Sequence, residues 1–551
     1  MPSEPTYPGV YVEEVPGGFR PIAGVSTSVA AFVGRASRGP IESPVTVTSF
    51  GDFERTFGGL WRESALGFAV RDFFFNGGST AVIVRLVHGE QAGEDTSVAA
   101  EKAQVTLDSL TLEAASVGEW GDQLRVRYDH QTQDPADSQL FNVTIRDGAT
   151  GLIETHRDVA VSPEDHPRRL DRVLESESGL ARVQRLSPER PSETGPAVLA
   201  DRIWTDDATS KPFAGGSDGA ALVREDYIGG TDFQAGKKGF YALEDADMVN
   251  LLVIPPYSAA GDIDIIDEVA AYAAQWRALF VVDAPSGWTS ASAAAAGVAN
   301  LPTSRNAAVY FPRLMQPNPL RNNELEAFAP SGAVAGVIAR TDATRGVWKA
   351  PAGQEAVLNG VPQLSIPLTD GEIGQLNATG VNSLRLLPDG NPVVWGARTL
   401  EGADHLASEW KYLAVRRTAV YIEESLSRGT AWAVFEPNDE RLWAQIRTSV
   451  GAFLNDLFRQ GAFQGTTPRE AYFVKCDNET TMQSDIDAGV VNIQVGFAPL
   501  KPAEFVIIRV QQKAGGTSAE ARERKVAPSG VNARRADPYK KFKFRVELDG
   551  K

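Results

Sequence analysis

Met248–Val282 reads MVNLLVIPPYSAAGDIDIIDEVAAYAAQWRALFVV. It opens on a largely apolar run, Met248–Ile254, and closes on another, Ala278–Val282. Between them, Ile263–Arg277 places apolar residues at helical spacing. Apolar runs without polar alternation suit strands buried on both faces. Strand, helix and strand in one short stretch therefore predict a mainly parallel sheet covered by helices.

The pattern extends both ways. Downstream, Ala307–Phe311 (AAVYF) predicts another buried strand, and Trp288–Ala299 an alanine-rich helix. Upstream, Ser28–Val33 (SVAAFV) and Ala81–Val87 (AVIVRLV) flank a helix over Ser64–Phe75, closed by Asn76-Gly77-Gly78. That is a crossover unit. The loop Gly346–Gly360 is expected on the surface.

Residues 95–205 read differently. Val105–Leu112, Leu124–Tyr128 and Phe141–Ile145 are short strands separated by turn-formers such as Gly118, Gly121, Asp147 and Gly151. The charged segment Asp165–Arg182 predicts a surface helix. Further on, Glu409–Gly429 and Asn438–Gln460 predict two long helices, with Asn438 as N-cap of the second. Leu442, Ile446, Phe453, Leu454 and Leu457 form its apolar stripe. Ala503–Gln511 (AEFVIIRVQ) predicts a strand. At the start, Tyr7, Val10, Tyr11 and Val12 lie in an extended arm bounded by Pro8-Gly9 and Pro16-Gly17-Gly18.

The expected organisation is an arm (1–22), an N-terminal α/β part (23–94), a β-rich insertion (95–205), an α/β domain (206–395), a C-terminal domain with a terminal strand (396–512) and a basic extension (513–551). The chain of 551 residues carries a formal net charge of −17. Lys513–Lys551 holds 11 basic and 5 acidic residues, which leaves 1–512 at −23. So acidic a body argues against wrapping nucleic acid, whose binding is mostly phosphate neutralisation. No run reaches the roughly 18 apolar residues of a membrane span, and Met1–Val15 lacks the basic and apolar regions of a signal peptide. Synthesis in a cytosol is expected. The single cysteine, Cys476, excludes an intrachain disulfide and a multi-cysteine metal site.

No catalytic motif in the sequence is complete. Gly215-Gly216-Ser217-Asp218-Gly219 lacks the spacing of a nucleophile elbow. Gly230–Lys238 has one residue too many between its glycines for a phosphate loop, and Lys238 stands where a hydroxyl belongs. Asp262, Asp264 and Asp267 lack the glycine and terminal glutamate of a calcium loop. The five histidines are scattered. No catalytic residue, cofactor site or metal site is assigned.

Ordered blocks along the chain resemble contractile tail sheath proteins of myophages, phage-tail-like bacteriocins and extracellular contractile injection systems. They include Thr6–Glu14, Arg20–Ser28, Phe57-Gly58-Gly59, Tyr241–Glu244, Pro330–Gly336, Gly346–Gly353, Trp395–Leu400 and Phe435–Asn438. The resemblance spans roughly residues 5–512. It implies a multidomain sheath protomer: α/β with a β-rich insertion, a subtilisin-like but non-catalytic middle domain, and extended N- and C-terminal β-arms. It implies a structural protein and not an enzyme. Hexameric rings of it would form a helical assembly around an inner tail tube protein, bounded by baseplate and terminal cap proteins, and contract from a metastable extended state. Neighbours would be linked by strand exchange through Tyr7, Val10, Tyr11 and Val12 and through Phe505, Val506, Ile507 and Ile508, with Pro16, Gly17 and Gly18 as hinge. Arg441, Arg447 and Arg459 are candidate tube contacts, from charge and helical position. Neither nucleic acid nor direct membrane insertion is expected. Assembly would take place in the bacterial cytoplasm, and the particle, a phage tail or tail-like device, would be released by lysis. Beyond the usual end of such chains, Arg535–Gly550 resembles the start of a tail tube protein. Two other readings stand beside the sheath: an α/β hydrolase-type enzyme, from the middle topology, and a particle-surface adhesin, from the acidic β-rich insertion.

Overall fold

The computed structural model describes residues 20–88, 99–195, 202–230, 232–257, 262 and 264–505. The arm residues Tyr7, Val10, Tyr11, Val12, Pro16, Gly17 and Gly18, the strand residues Val506, Ile507 and Ile508, and the extension 513–551 lie outside the described residues. The chain divides into a compact unit Met1–Pro502 and a second unit Ala503–Lys551. In the second, only residues 503–505 are described; they form no strand, and Phe505 is 77% exposed.

The apolar runs become the centre of an eight-stranded sheet. Ala30–Arg35 sits inside it, parallel to Ala81–Leu86 on one side (Ala30 opposite Ala81) and to Leu251–Val253 on the other (Ala30 opposite Leu251). Beyond Leu251–Val253 come Leu279–Asp283, Ala307–Phe311 and Asn382–Leu386, all parallel. Antiparallel strands finish both edges, Val45–Val47 and Pro392–Val394. Both faces are covered, as continuous apolar strands require. On one, Val33, Leu252, Phe280 and Val309 meet Val269 and Ala273 of the helix Ile266–Gln275. On the other, Phe32, Ile83, Val253 and Val281 meet Val70 and Phe73 of the helix Leu66–Phe75, and Val334 and Ile338 of Ser331–Arg345.

Those last two helices touch backbone to backbone. A Cβ on Gly332 would lie 2.2 Å from the Ala69 carbonyl oxygen, and one on Gly336 2.4 Å from that of Phe73. Glycine at both positions permits the approach.

Residues 104–213 carry two further sheets. One is Gln104–Leu107, Leu110–Ala114 and Ala181–Arg185; the other orders Lys211–Pro212, Leu124–Asp129, Leu140–Asp147 and Ile153–Ala160. They enclose a separate core with Leu112, Val126, Phe141, Ile145, Leu170 and Phe213. Two arginines, the buried Arg85 and the partly buried Arg38, join this part to the large sheet. Arg85 donates to the carbonyls of Ala36 (2.8 Å), Gly39 (2.7 Å) and Val117 (2.9 Å). Arg38 pairs with Asp147 at 3.1 Å.

Several local expectations need correction. Within Asp165–Arg182 only Leu170–Glu177 is helical, and the chain turns straight into the strand Ala181–Arg185. Gly346–Gly360 is not a surface loop: Val347, Ala356 and Leu358 are buried. Its backbone meets the edge strand, through Gly353 N–H to Val394 O (2.9 Å) and Leu358 N–H to Pro392 O (2.9 Å). An edge covered in this way offers no template for foreign strands. The first long helix starts at Leu413, and the second spans Glu440–Arg459.

Candidate functional site

The C-terminal part of the compact unit is built from these two helices. Asp439, not Asn438, caps the second; its carboxylate accepts from the Leu442 amide at 3.0 Å. Asn438 instead accepts from the Trp443 indole N–H (2.9 Å) and donates to Val490 O (3.0 Å). Both residue types cap well, and the tertiary contact to Trp443 decides between them. Leu442, Ile446, Val450, Phe453, Leu454 and Leu457 are buried against Ile422, Phe463, Ala471 and Cys476. Burial pushes the Cys476 thiol up to about 11.

The helix Leu413–Gly429 fastens this core to the large sheet. The Arg417 guanidinium donates to Asp342 at 2.7 and 2.5 Å and to Thr27 O at 2.8 Å. Arg416 donates to Asn306 Oδ1 at 3.1 Å. Burial lowers the Arg416 guanidinium from its ordinary value.

Beside the long helix stands a small antiparallel sheet, Tyr472–Lys475 with Gln494–Phe497. Among the described residues no third strand joins either edge. Phe473, 53% exposed, lies across Gly496 of the partner strand. A lone two-stranded sheet is marginal in water and presents unpaired amides and carbonyls along its edges.

The three arginines singled out from sequence do not share one face. Arg441 and Arg459, both exposed, are five helical turns apart and point the same way. Arg447 is rotated by a third of a turn. It donates to Glu440 (2.6 Å) and to the Cys476 carbonyl.

The loops around Ser217, Lys237 and Asp262 serve as structure. The Ser217 hydroxyl meets Ala99 O at 3.4 Å, while Arg35 donates to the carbonyls of Asp218 (2.8 Å) and Gly219 (2.7 Å). Lys237 pairs with Asp245. Asp262 accepts from Ser286, and Asp264 from the Tyr257 hydroxyl. Among the described residues no three His, Cys, Asp or Glu side chains are grouped to hold a metal ion. No helix among them is long and apolar enough to cross a membrane.

The described residues form a mixed α/β body with several sheets and a helical region carrying a two-stranded sheet, an architecture shared with contractile sheath proteins. The protein superposes on the sheath of PVC, an extracellular contractile injection system, in its contracted state, with a TM-score of 0.55 at 21% identity, over 93% of this chain and 99% of that one. A sheath tail protein from Listeria innocua gives a TM-score of 0.57 at 15% identity, over 87% and 96% of the two chains. Residues 227–400 match the family model for the phage tail sheath protein central domain, and 407–513 that for the phage tail sheath C-terminal domain. The tail sheath protein of Burkholderia phage BcepMu is 24% identical over 518 residues, covering 90% of this chain and 94% of that relative. The chain belongs to the contractile tail sheath family.

Proposed function

We propose that the protein is the structural subunit of a contractile sheath, in which hexameric rings stack helically around an inner tube and contract from a metastable extended state. The observation that carries this reading is the open-edged sheet of Tyr472–Lys475 and Gln494–Phe497 within the region matching the sheath C-terminal domain. Its edges accept strands from neighbours: Val10–Val12, with Tyr7 and Tyr11 beside them, and Phe505–Ile508. Main-chain hydrogen bonds of this kind need no particular side chain and join copies into a non-closing assembly. Pro16, Gly17 and Gly18 let the arm bend while the bonds persist. Release of stored conformational free energy then drives contraction without a nucleotide.

In this reading 206–395 has subtilisin-like topology without catalysis, and 95–205 projects outward from the ring. Arg441 and Arg459 face the tube, while Arg447 is held by its own helix and Cys476. Baseplate and terminal cap proteins bound the stack. The particle assembles in the bacterial cytoplasm and leaves by lysis. Negative-stain micrographs of the purified particle, before and after mild acid or urea, test this. Striated tubes that become shorter and wider are expected. Tubes of constant length, or small particles alone, overturn it.

A further inference from the structure

A crevice of about 510 Å³ opens at the carboxyl ends of the parallel strands, bordered by Gly34 and Arg35 at the end of one strand, Pro255 and Tyr257 after the next, and Arg313 after a third. Its position is set by topology. From Ala30–Arg35 the chain crosses to Ala81–Leu86 on one side. It then returns to Leu251–Val253 on the other and continues away. Strand order thus reverses between Ala30–Arg35 and Leu251–Val253. In open α/β sheets such a reversal splays the connections apart and leaves a binding crevice.

The lining is basic in a chain whose net charge is −17. Arg35, Arg62, Arg313 and Arg321 face Glu63 and Glu326. Glu326 already accepts from Asn318 (2.7 Å) and lies 3.6 Å from Arg321. Arg62 is exposed and has no partner among the described residues. The buried Arg35 Nε has no hydrogen-bond partner, and the same is true of the Tyr227 hydroxyl, which belongs to a fully buried lining side chain. Burial holds the Arg35 guanidinium below its ordinary value. The helix Leu66–Phe75 also begins at the crevice, with no acidic residue in its first turn. Its positive end adds to the field of the arginines. Phe68 and Phe328 give the crevice an apolar wall.

We propose that this crevice binds a small oxyanion-bearing molecule, a phosphate ester or a polycarboxylate, with Arg62 and Arg321 clamping the anionic group at the mouth. Guanidinium forks suit both groups because each offers paired oxygens in one plane. The crevice shares no lining residue with the sheet Tyr472–Lys475 and Gln494–Phe497 on which the assembly proposal rests, and its test needs no assembled sheath.

Isothermal titration of the full chain with inorganic pyrophosphate, and separately with citrate, reads it directly. Saturable binding of at least one probe is expected. Binding of pyrophosphate alone assigns a phosphate ester, and of citrate alone a polycarboxylate. The double variant Arg62→Ala/Arg321→Ala should weaken binding by about tenfold or more, whereas Arg469→Ala, an exposed arginine outside the crevice, should leave it unchanged. Both crevice arginines are on the outside of the fold, so the variant is expected to remain folded, which its unfolding temperature checks. No saturable heat with either probe, equal binding by the double variant, or an equal loss in Arg469→Ala overturns the proposal.

Discussion

Arg417 and Asp342 meet at 2.7 and 2.5 Å with side-chain exposures of 6% and 3%. They tie the helix Leu413–Gly429 to Ser331–Arg345 across 75 residues of sequence. Removing one partner leaves a buried charge uncompensated. Asp342→Ala should cost about 3–5 kcal/mol. The pair replacement Arg417→Met/Asp342→Leu should cost much less than the sum of the single changes. Urea denaturation of the parent, Arg417→Met, Asp342→Leu and the double variant measures this coupling.

Asp283 ends its strand fully buried and accepts from the Ser331 amide (2.8 Å) and hydroxyl (2.6 Å). Burial outweighs those bonds and pushes its carboxyl up to about 6. A carboxyl raised in the fold favours the protonated form there. Its contribution is therefore full below the unfolded value near 4 and is lost as pH rises through about 6. The loss is about 3 kcal/mol. Asp283→Asn removes this titration. The stability of the parent minus that of the variant should fall by this amount between pH 4 and pH 7 in denaturation midpoints.

At Gly332 even one methyl group meets the Ala69 backbone at 2.2 Å. Gly332→Ala must push two helices apart on one face of the sheet. A loss of about 2 kcal/mol is expected, against the usual gain from alanine in a helix. Gly371→Ala, where nothing lies within 4 Å, should show no such penalty. Thermal unfolding of the two variants separates packing from propensity.

Cys476 is buried, and its thiol is raised to about 11. Only the thiolate reacts. Iodoacetamide at pH 8 should leave the folded protein unmodified for hours and alkylate it rapidly in urea, as intact mass will report.

The assembly reading separates folding from polymerisation. A chain beginning at Arg20 should keep the unfolding temperature of the parent within a few degrees and fail to form sheath in sedimentation. Arg441→Ala/Arg459→Ala should also fold normally, since both side chains are exposed. It should lose affinity for the tube, while Arg447→Ala should lower stability by about 1 kcal/mol through its lost hydrogen bonds.

The central strands were legible because a strand covered on both faces must be largely apolar, and Leu251–Val253, Ala307–Phe311 and all of Leu279–Asp283 but its final Asp283 are. The hairpin Leu314–Asn318 with Glu324–Phe328 was not: it mixes Pro317, Asn318 and three glutamate or glutamine residues, and its pairing rests on neighbours. Helix ends were misplaced for a related reason. Asn438 and Asp439 cap equally well in isolation, and only Trp443 selects between them.

By itself, the sequence determined the alternation of strands and helices, the buried faces, and the ordered blocks of the sheath family, because burial and backbone geometry write themselves into residue types at short range. Tertiary structure alone decided that Arg417 would find Asp342, that Gly346–Gly360 would cover an edge, that Arg447 would find the Cys476 carbonyl, and that four arginines would gather where the strand order reverses. Those relationships join residues tens to hundreds of positions apart. Chain crossing sets their distances, and local periodicity carries no record of it.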